Sequence, residues 1–494
     1  MPVIAKSSRP PLYWGCALCF SSPRMTRSST RVAAMRNLDR YGFAGELIGP
    51  DHTSYDAARR VFNGMIERRP ALIVRCTRAN DVVWAIRAAL DHGLTLSVYG
   101  GGHAVTGSAV CDAGIVVDLR GMKRIAVDPY ARTVRAEGGV TWGELDAATE
   151  AHGLVMTGGR NPTTGIGGLT LGSGSGWLER KFGLVCDHLF KAEIVTANGQ
   201  LVIASDEENP ELFWALRGGG GNFGVVTAFH FRLHALGPTL LAGAVLYSQE
   251  RAEAAARHYR DFMQAAPDEI CGAMSFTAFA TVPFVPEQYR GKPALSIIAA
   301  YAGPLDEAGR ALAPLRGFGT PVLDLVRPMA YTELQALTES AFPPGARYYW
   351  SADTFRELPD QAIKVLASRT ADHHSPLGST IVIPGGGAAA RIDESATAFG
   401  QRSAPWNIHY LTAWRDAADD DSNVGHTRRL AQAMKQWTTG RVYLNYVGDE
   451  GEARIEASFG AEKMAMLRAL KARWDPDNLF HHNHNIRPAP LPRP

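Results

Sequence analysis

What most constrains this chain is the placement of its glycines. Three dense runs lie in its first half: "YGGGHAVTG" from Tyr99, "GGRNPTTGIGGLTLGSGSG" over residues 158–176, and "RGGGGNFG" from Arg217. Glycine loses more backbone freedom on folding than any other residue, so such density needs a compensating reason. Either the chain turns tightly at positive φ, or backbone N–H groups must lie bare beside an anionic ligand. One run reads as a turn. Three runs point to a large phosphate-bearing cofactor.

The segments between the runs alternate in type. "ALIVRC" from Ala71 reads as a strand, "ANDVVWAIRAALDHG" from Ala79 as a helix with an Asn/Asp start and a glycine stop, and "LTLSVY" from Leu94 as a strand. This β-α-β opening delivers the first glycine run and His103. "GIVVDL", the turn-containing "IAVDPYARTVRAEGG" and the helical "TWGELDAATEAHG" follow. Mixed strands and helices favour an α+β fold over a doubly wound sheet. Gly219, Gly221 and Gly224 satisfy G-x-G-x-x-G, but the run enters the strand-like "VVTAFHFRL" and no suitable acid follows, so the Rossmann reading fails. No G-x-x-x-x-G-K-[ST] loop supports a kinase or ATPase.

Past Leu236-Gly237-Pro238 the texture changes to "ALSIIAAYAG", the helical "AGRALAPLRGFG" and "WNIHYLTAW", which read as a second domain on an antiparallel sheet with flanking helices. From Arg441 it changes again, to "RVYLNYVGDEGE", the helical "EKMAMLRALKARW" and the stop "DPDNLF". The predicted division is residues 38–237, residues 238–440, and a segment 441–494 that returns to the first domain.

Lys and Arg total 51 against 49 Asp and Glu, with no long basic run, which argues against nucleic acid as a partner. The six cysteines are scattered, without a disulfide framework or a paired zinc site; only Cys16 and Cys19 form C-x-x-C. No stretch reaches the roughly 20 apolar residues of a membrane span. Residues 1–37 are basic and serine-rich, with no acid before Asp39. They resemble a transit peptide, Leu12–Phe20 passes for a weak secretory core without a cleavage site, and a true start at Met25 or Met35 explains them equally well. A cytoplasmic protein is expected, with secretion or organelle targeting left open by this segment.

"VYGGGHAVTG", "GGRNPTTGIGGLTLGSGSGWLERKFGLVCDHL", "ELFWALRGGGGNFGVVTAFHFRL" and the ending "YLNYVGDEGE…WDPDNLFHHNHNIRP" together resemble the berberine-bridge-enzyme-like oxidases of the vanillyl-alcohol-oxidase, or PCMH-type, FAD superfamily. The resemblance runs from about Ala71 to Pro488. It implies a two-subdomain FAD-binding domain plus an α+β substrate domain, with FAD joined to His103 through the flavin 8α-methyl. A neutral imidazole nitrogen is nucleophilic near neutral pH, which suits a tether. The same resemblance places Gly100, Gly101, Gly102, Thr163, Gly165, Gly167, Gly168, Gly172, Gly176, Asn222, Gly224 and Val226 around the cofactor. Asn483 and Asn485, in an Asn-x-Asn-Ile ending with Ile486, are placed beside the flavin ring.

Two departures stand out. Many members carry a second flavin link through a cysteine where this chain has Asn161, so a single attachment is expected. Ser173 stands where glycine is common, and its hydroxyl and N–H are expected to serve a phosphate.

Redox chemistry on the cofactor needs a base for the substrate's O–H or N–H. The resemblance assigns that role to Tyr446 of "YLNY", with Tyr443 beside it, and a phenol near pKa 10 then needs a nearby cation or donor. In a strand, Trp406, Ile408 and Tyr410 face opposite to Asn407 and His409. His409, where members often have an acid or amide, is therefore a second candidate base or a hydrogen-bond partner of Tyr446. Tyr349 or Trp350 of "RYYWSADTF" is a candidate for the pocket wall. The histidines 481, 482 and 484 lack metal-site spacing, so flavin contact is the preferred reading and no metal is expected. Thr164, small and near the flavin edge, is expected to leave room for oxygen. The resemblance thus implies an oxidase acting on an alcohol or amine carbon of a small molecule, with O2 as acceptor. A dehydrogenase with another acceptor, or an inactive flavin-binding protein, is the alternative.

Overall fold

A computed structural model describes residues 43–490 except 371, 373 and 374. The N-terminal segment 1–37, with its Cys16–Cys19 pair, lies outside the described residues, as do residues 38–42 and 491–494. The fold is α+β. A four-stranded sheet orders Glu46–Ile48, Leu72–Arg75, Ile115–Asp118 and Leu96–Tyr99. Its last three strands run parallel. The central Ile115–Asp118 is buried at every position, as a strand covered on both faces must be. The helix Ala79–Asp91 makes the crossover and buries Val82, Ala85, Ile86 and Ala89 against this sheet.

A five-stranded antiparallel sheet follows, ordered Ile125–Asp128, Thr133–Glu137, Val225–Arg232, Leu189–Val195, Leu201–Ser205. The helix Trp142–Glu150 starts on a capping box in which Thr141 N donates to the Glu144 carboxylate at 2.8 Å. Trp142 and Leu145 share its core with Ile166, Phe213, Phe223 and Phe229.

The third sheet is antiparallel and eight-stranded, running from Leu240–Ser248 through Pro293–Tyr301, Ile270–Ala278, Ser379–Pro384 and Trp406–Trp414 to Arg347–Phe355. Period-two alternation gives it two different faces. Met274, Phe276, Leu295, Ile297, Val382, Ile408 and Tyr410 point to the helices Gln249–Ala265, Leu305–Arg316, Asp360–Thr370 and Asp420–Met434. Their neighbours Ser275, Ser296, Ile381 and His409 point the other way, into a cavity. A slip of one residue would exchange the faces, so burial of the helix side fixes what the cavity sees.

The chain then packs back on the five-stranded sheet's core. Met464 and Leu467 of the helix Ala461–Trp474 join the cluster of Phe213 and Phe223. At the C-terminal end of that helix Lys471 and the following Asp475 form a wholly buried pair at 2.6 Å. Lys471 Nζ also donates to the carbonyls of Asn222 at 2.7 Å and Phe480 at 3.0 Å, while Asp475 accepts from the amides of Leu479 and Phe480. One ion pair thus ties the third glycine run to the C-terminal segment. Cys76, Cys111, Cys186 and Cys271 are buried and unpaired. Among the described residues no helix is long and apolar enough to cross a membrane.

Removing one partner of a buried pair leaves the other charge uncompensated. Lys471→Met is expected to cost about 3–5 kcal/mol of stability, read as a lower chemical-denaturation midpoint, with Lys471→Met/Asp475→Leu recovering much of the loss.

Candidate active site

All three glycine runs converge on one cavity of about 1000 Å3, bounded on its far side by the inward face of the large sheet. This lies at the upper end of the roughly 300–1,000 Å3 usual for small-molecule sites. The first two runs meet backbone to backbone: a Cβ on Gly101 would collide with the Gly165 amide, and one on Gly165 with the Gly101 amide. These two glycines are demanded by each other. Gly168 and Gly221, in contrast, line the cavity with open space where a Cβ would stand. They leave a bare backbone surface of the kind a dinucleotide needs. At its edge Asn222 Nδ2 donates to Gly219 O and His484 O, and Asn483 Nδ2 to Gly221 O. Asn483 Oδ1 is buried without a partner, a free acceptor at the cavity wall. These features fit FAD.

His103 follows the first run and lines the cavity. Its ring stacks on Phe62, 4.4 Å between centroids at 21°. Nε2 lies 2.8 Å from Thr163 Oγ1 and Nδ1 3.3 Å from Thr164 Oγ1. Burial lowers its pKa to about 4, so the imidazole is neutral near neutrality, the form with a nucleophilic nitrogen. Asn161 lines the same wall and accepts from Thr163 N at 3.0 Å and Thr163 Oγ1 at 2.7 Å.

Opposite stands Tyr446, in the short 3-10 turn Leu444–Tyr446. Its hydroxyl accepts from Arg160 Nη1 at 2.9 Å. The same Nη1 donates to Ser175 Oγ at 2.9 Å, and Ser175 Oγ donates to Glu179 at 2.5 Å. Glu179 also accepts from Gly176 N at 2.9 Å and lies 3.6 Å from Arg160 Nη2. The guanidinium rests 5.0 Å from the Trp177 ring. Burial raises the Tyr446 pKa above the ordinary phenol value, and Arg160 pulls it back down. The cation that a tyrosine base needs is therefore present, and it comes from the second glycine run.

His409 lies face to face on Tyr446, 4.3 Å between centroids at 4°, with its edge toward Trp350. A stacked imidazole does not hydrogen-bond the phenol, so the hydrogen-bonding role expected for His409 belongs to Arg160. Burial, then Arg160, depress its pKa to about 3, leaving a weakly basic, neutral ring. Tyr443 sits behind Tyr446 at 4.7 Å, edge to face, and its hydroxyl accepts from Ser175 N and Asn445 Nδ2. It braces the site without reaching the cavity wall.

Gly100, Gly102, Gly167, Gly172, Gly224 and Val226 also line the cavity, whereas Thr163, Gly176 and Asn485 lie behind its surface. Ser173 does not reach it: the residue is fully buried and its N–H is used by Thr170 O, so the expected phosphate role is not available. Trp350 lines the pocket; Tyr349 does not, and meets Arg428 instead. His482 Nε2 lies 2.8 Å from Val110 O and 2.9 Å from Arg68 Nη1. Sequence reading missed Arg160, whose signal was a lone charge inside a glycine run. It also missed Asn63, which clamps the first run to the large sheet through Val105 O, Tyr348 O and Tyr348 N.

A glycine-lined dinucleotide surface facing a tyrosine–arginine pair across one cavity defines a flavin-dependent oxidoreductase. Residues 70–205 match the FAD binding domain family and residues 442–487 the berberine and berberine-like family. The chain is 32% identical over 460 residues to (R)-6-hydroxynicotine oxidase of Paenarthrobacter nicotinovorans, covering 90% of this chain and 97% of that protein. It is 28% identical to an FAD-linked oxidoreductase of Dictyostelium discoideum, over 85% and 89% of the two chains. The crystal structure of 6-hydroxy-D-nicotine oxidase from Arthrobacter nicotinovorans superposes with a TM-score of 0.82 at 31% identity, over 91% of this chain and 99% of that one. Physcomitrella patens BBE-like 1 shares the fold, with a TM-score of 0.82 at 22% identity over 93% and 99% of the two chains. The chain belongs to the berberine-bridge-enzyme-like, PCMH-type FAD oxidases, and FAD is its cofactor.

Ser173 holds φ at 87°, a left-handed value that costs a side-chain-bearing residue about 1–2 kcal/mol. The one partner of its buried hydroxyl among the described residues is the Tyr443 phenol. Relief of that φ is offset by loss of the Tyr443 contact and by the entropy cost of glycine, so Ser173→Gly is expected to change stability by less than about 1 kcal/mol, seen as a nearly unmoved denaturation midpoint with flavin content unchanged.

Proposed function

We propose that this protein is an oxidase that holds FAD through a single covalent bond to His103, oxidises an alcohol or amine carbon of a small molecule, and passes the electrons to O2 to give hydrogen peroxide. The observation that carries this reading is the 2.9 Å contact between Arg160 and the Tyr446 hydroxyl, made in the cavity that His103 also lines. The domain predicted as residues 38–237 holds the cofactor, residues 238–440 shape the substrate side, and the C-terminal segment supplies Tyr446. When bound, FAD supplies the hydride-accepting centre.

The chain's own residues move the proton. Tyr446 takes it from the substrate's O–H or N–H as the C–H bond is broken. Arg160 makes that possible by favouring the phenolate, against the burial that disfavours it. Glu179 and Ser175 hold the guanidinium side of the contact in place, while His409 by stacking and Tyr443 by an edge-to-face contact fix the phenol plane. Thr164, on the wall beside His103, is small enough to leave O2 a path. Asn161 has no sulfur for a second link, which supports one attachment.

Tyr446 acts only when deprotonated, so the rate of the reductive half-reaction is expected to rise with pH on the alkaline side. Arg160→Gln removes the positive charge and raises the phenol pKa further, so this limb moves to higher pH; Tyr446→Phe abolishes it and slows reduction about 100-fold or more. A limb unmoved in Arg160→Gln refutes the pairing.

The attachment is tested by acid-precipitating the purified protein. Yellow colour is expected to stay with the washed pellet, and intact mass to show one added FAD. In His103→Ala the colour washes out. Colour retained in that variant places the bond elsewhere, and absence of peroxide with rapid reduction of an artificial acceptor makes the protein a dehydrogenase.

A further inference from the structure

Among the described residues the cavity wall contains no aspartate and no glutamate, and its two formal charges are both arginines, Arg160 and Arg415. Glu179, the carboxylate behind Arg160, is already occupied by Ser175 Oγ, Gly176 N and the guanidinium. The floor of the site is thus electrically balanced. His409 is neutral near neutral pH and offers a substrate no counter-charge. While Tyr446 is protonated, a substrate ammonium group would enter a partly dehydrated space with no carboxylate to pair with, which is the costly way to bury a charge.

Arg415 stands apart from this balance. It follows the strand Trp406–Trp414 that carries His409, is exposed, and forms no ion pair with a described carboxylate. At about 3.3 Å per residue of extended chain, the six residues from His409 to Arg415 span up to about 20 Å. On the same inward face Ser275 and Ser379 share a hydrogen bond at 2.5 Å, Thr277 donates to Gly378 O, and Ser296 lines the cavity beside them, so their oxygens remain as acceptors. Those hydroxyls suit neutral oxygen groups.

Resting on the function proposed above, we infer that the site selects an acidic, hydroxylated substrate and rejects a protonated amine, with Arg415 reading an acid group remote from the carbon that is oxidised. Of the two substrate carbons left open by the general chemistry, this favours the alcohol. Arg415 is a specificity residue and takes no part in the proton transfer.

The test measures affinity on the holoenzyme without turnover, by titration calorimetry and quenching of tryptophan fluorescence. The probes are phenylbutyrate, phenylbutanol and phenylbutylamine, which share one apolar frame and differ in charge. The acid is expected to bind about tenfold tighter than the amine, with the alcohol between them. That gap narrows as salt is raised, because the pair at the mouth is exposed. Arg415→Gln brings acid and alcohol together while leaving the alcohol unchanged, and Arg415→Glu reverses the order of acid and amine. Equal or tighter binding of the amine by the unaltered protein overturns the inference. So does an acid preference that survives Arg415→Gln, or failure of all three probes to bind. Because no electron transfer is read, an inert Tyr446→Phe comparison would undo the redox proposal and leave this result standing; the converse also holds.

Discussion

The site depends on a contact between two loops that only glycine allows. Gly101 and Gly165 come together amide against amide, and a methyl group on either would drive the loops apart. That contact places His103, two residues beyond Gly101, against Thr163 and Thr164, which immediately precede Gly165. It also sets the direction in which the second run leaves toward Arg160. The residues proposed as cofactor tether and base activator, His103 and Arg160, are therefore positioned by one close approach of backbone.

From that point the site is assembled across long distances in sequence. Arg160 reaches Tyr446, 286 residues later, and Lys471 holds the Asn222 carbonyl from 249 residues away. Neither contact belongs to a local motif. Asn63 adds a third link, bonding backbone atoms of both the His103 loop and the large sheet. The cavity lies where these units meet, so its shape depends on all of them. Its charge depends on the sheet's register, which turns Ser275 and His409 inward and Met274 and Ile408 outward.

Electrostatics then divides the cavity by depth. Arg160, Ser175 and Glu179 form a charge-balanced group beneath Tyr446, in which Arg160 Nη1 serves both Ser175 and the phenol while Nε stays unpartnered. The stacked His409 contributes shape and an apolar face. Arg415 lines the cavity and is exposed, with no ion pair to a described carboxylate. A buried cation tunes the phenol, and an exposed one is left to meet solvent or ligand.

Much of this was legible in the residues themselves. Period-two and helical spacing marked the strands and helices, the glycine runs marked a dinucleotide surface, and ordered motifs marked the family, because each is a local pattern imposed by backbone geometry. His103, Tyr446 and the outward–inward split of Trp406–Tyr410 were visible for the same reason. What the tertiary structure alone decided was partnership. Arg160 looked like one more residue in a loop, and Ser173 like a phosphate ligand, until packing buried one against Tyr446 and turned the other away from the cavity. A sequence carries the chemistry of each side chain, but a pKa and a hydrogen bond depend on which distant groups the fold brings within about three ångströms.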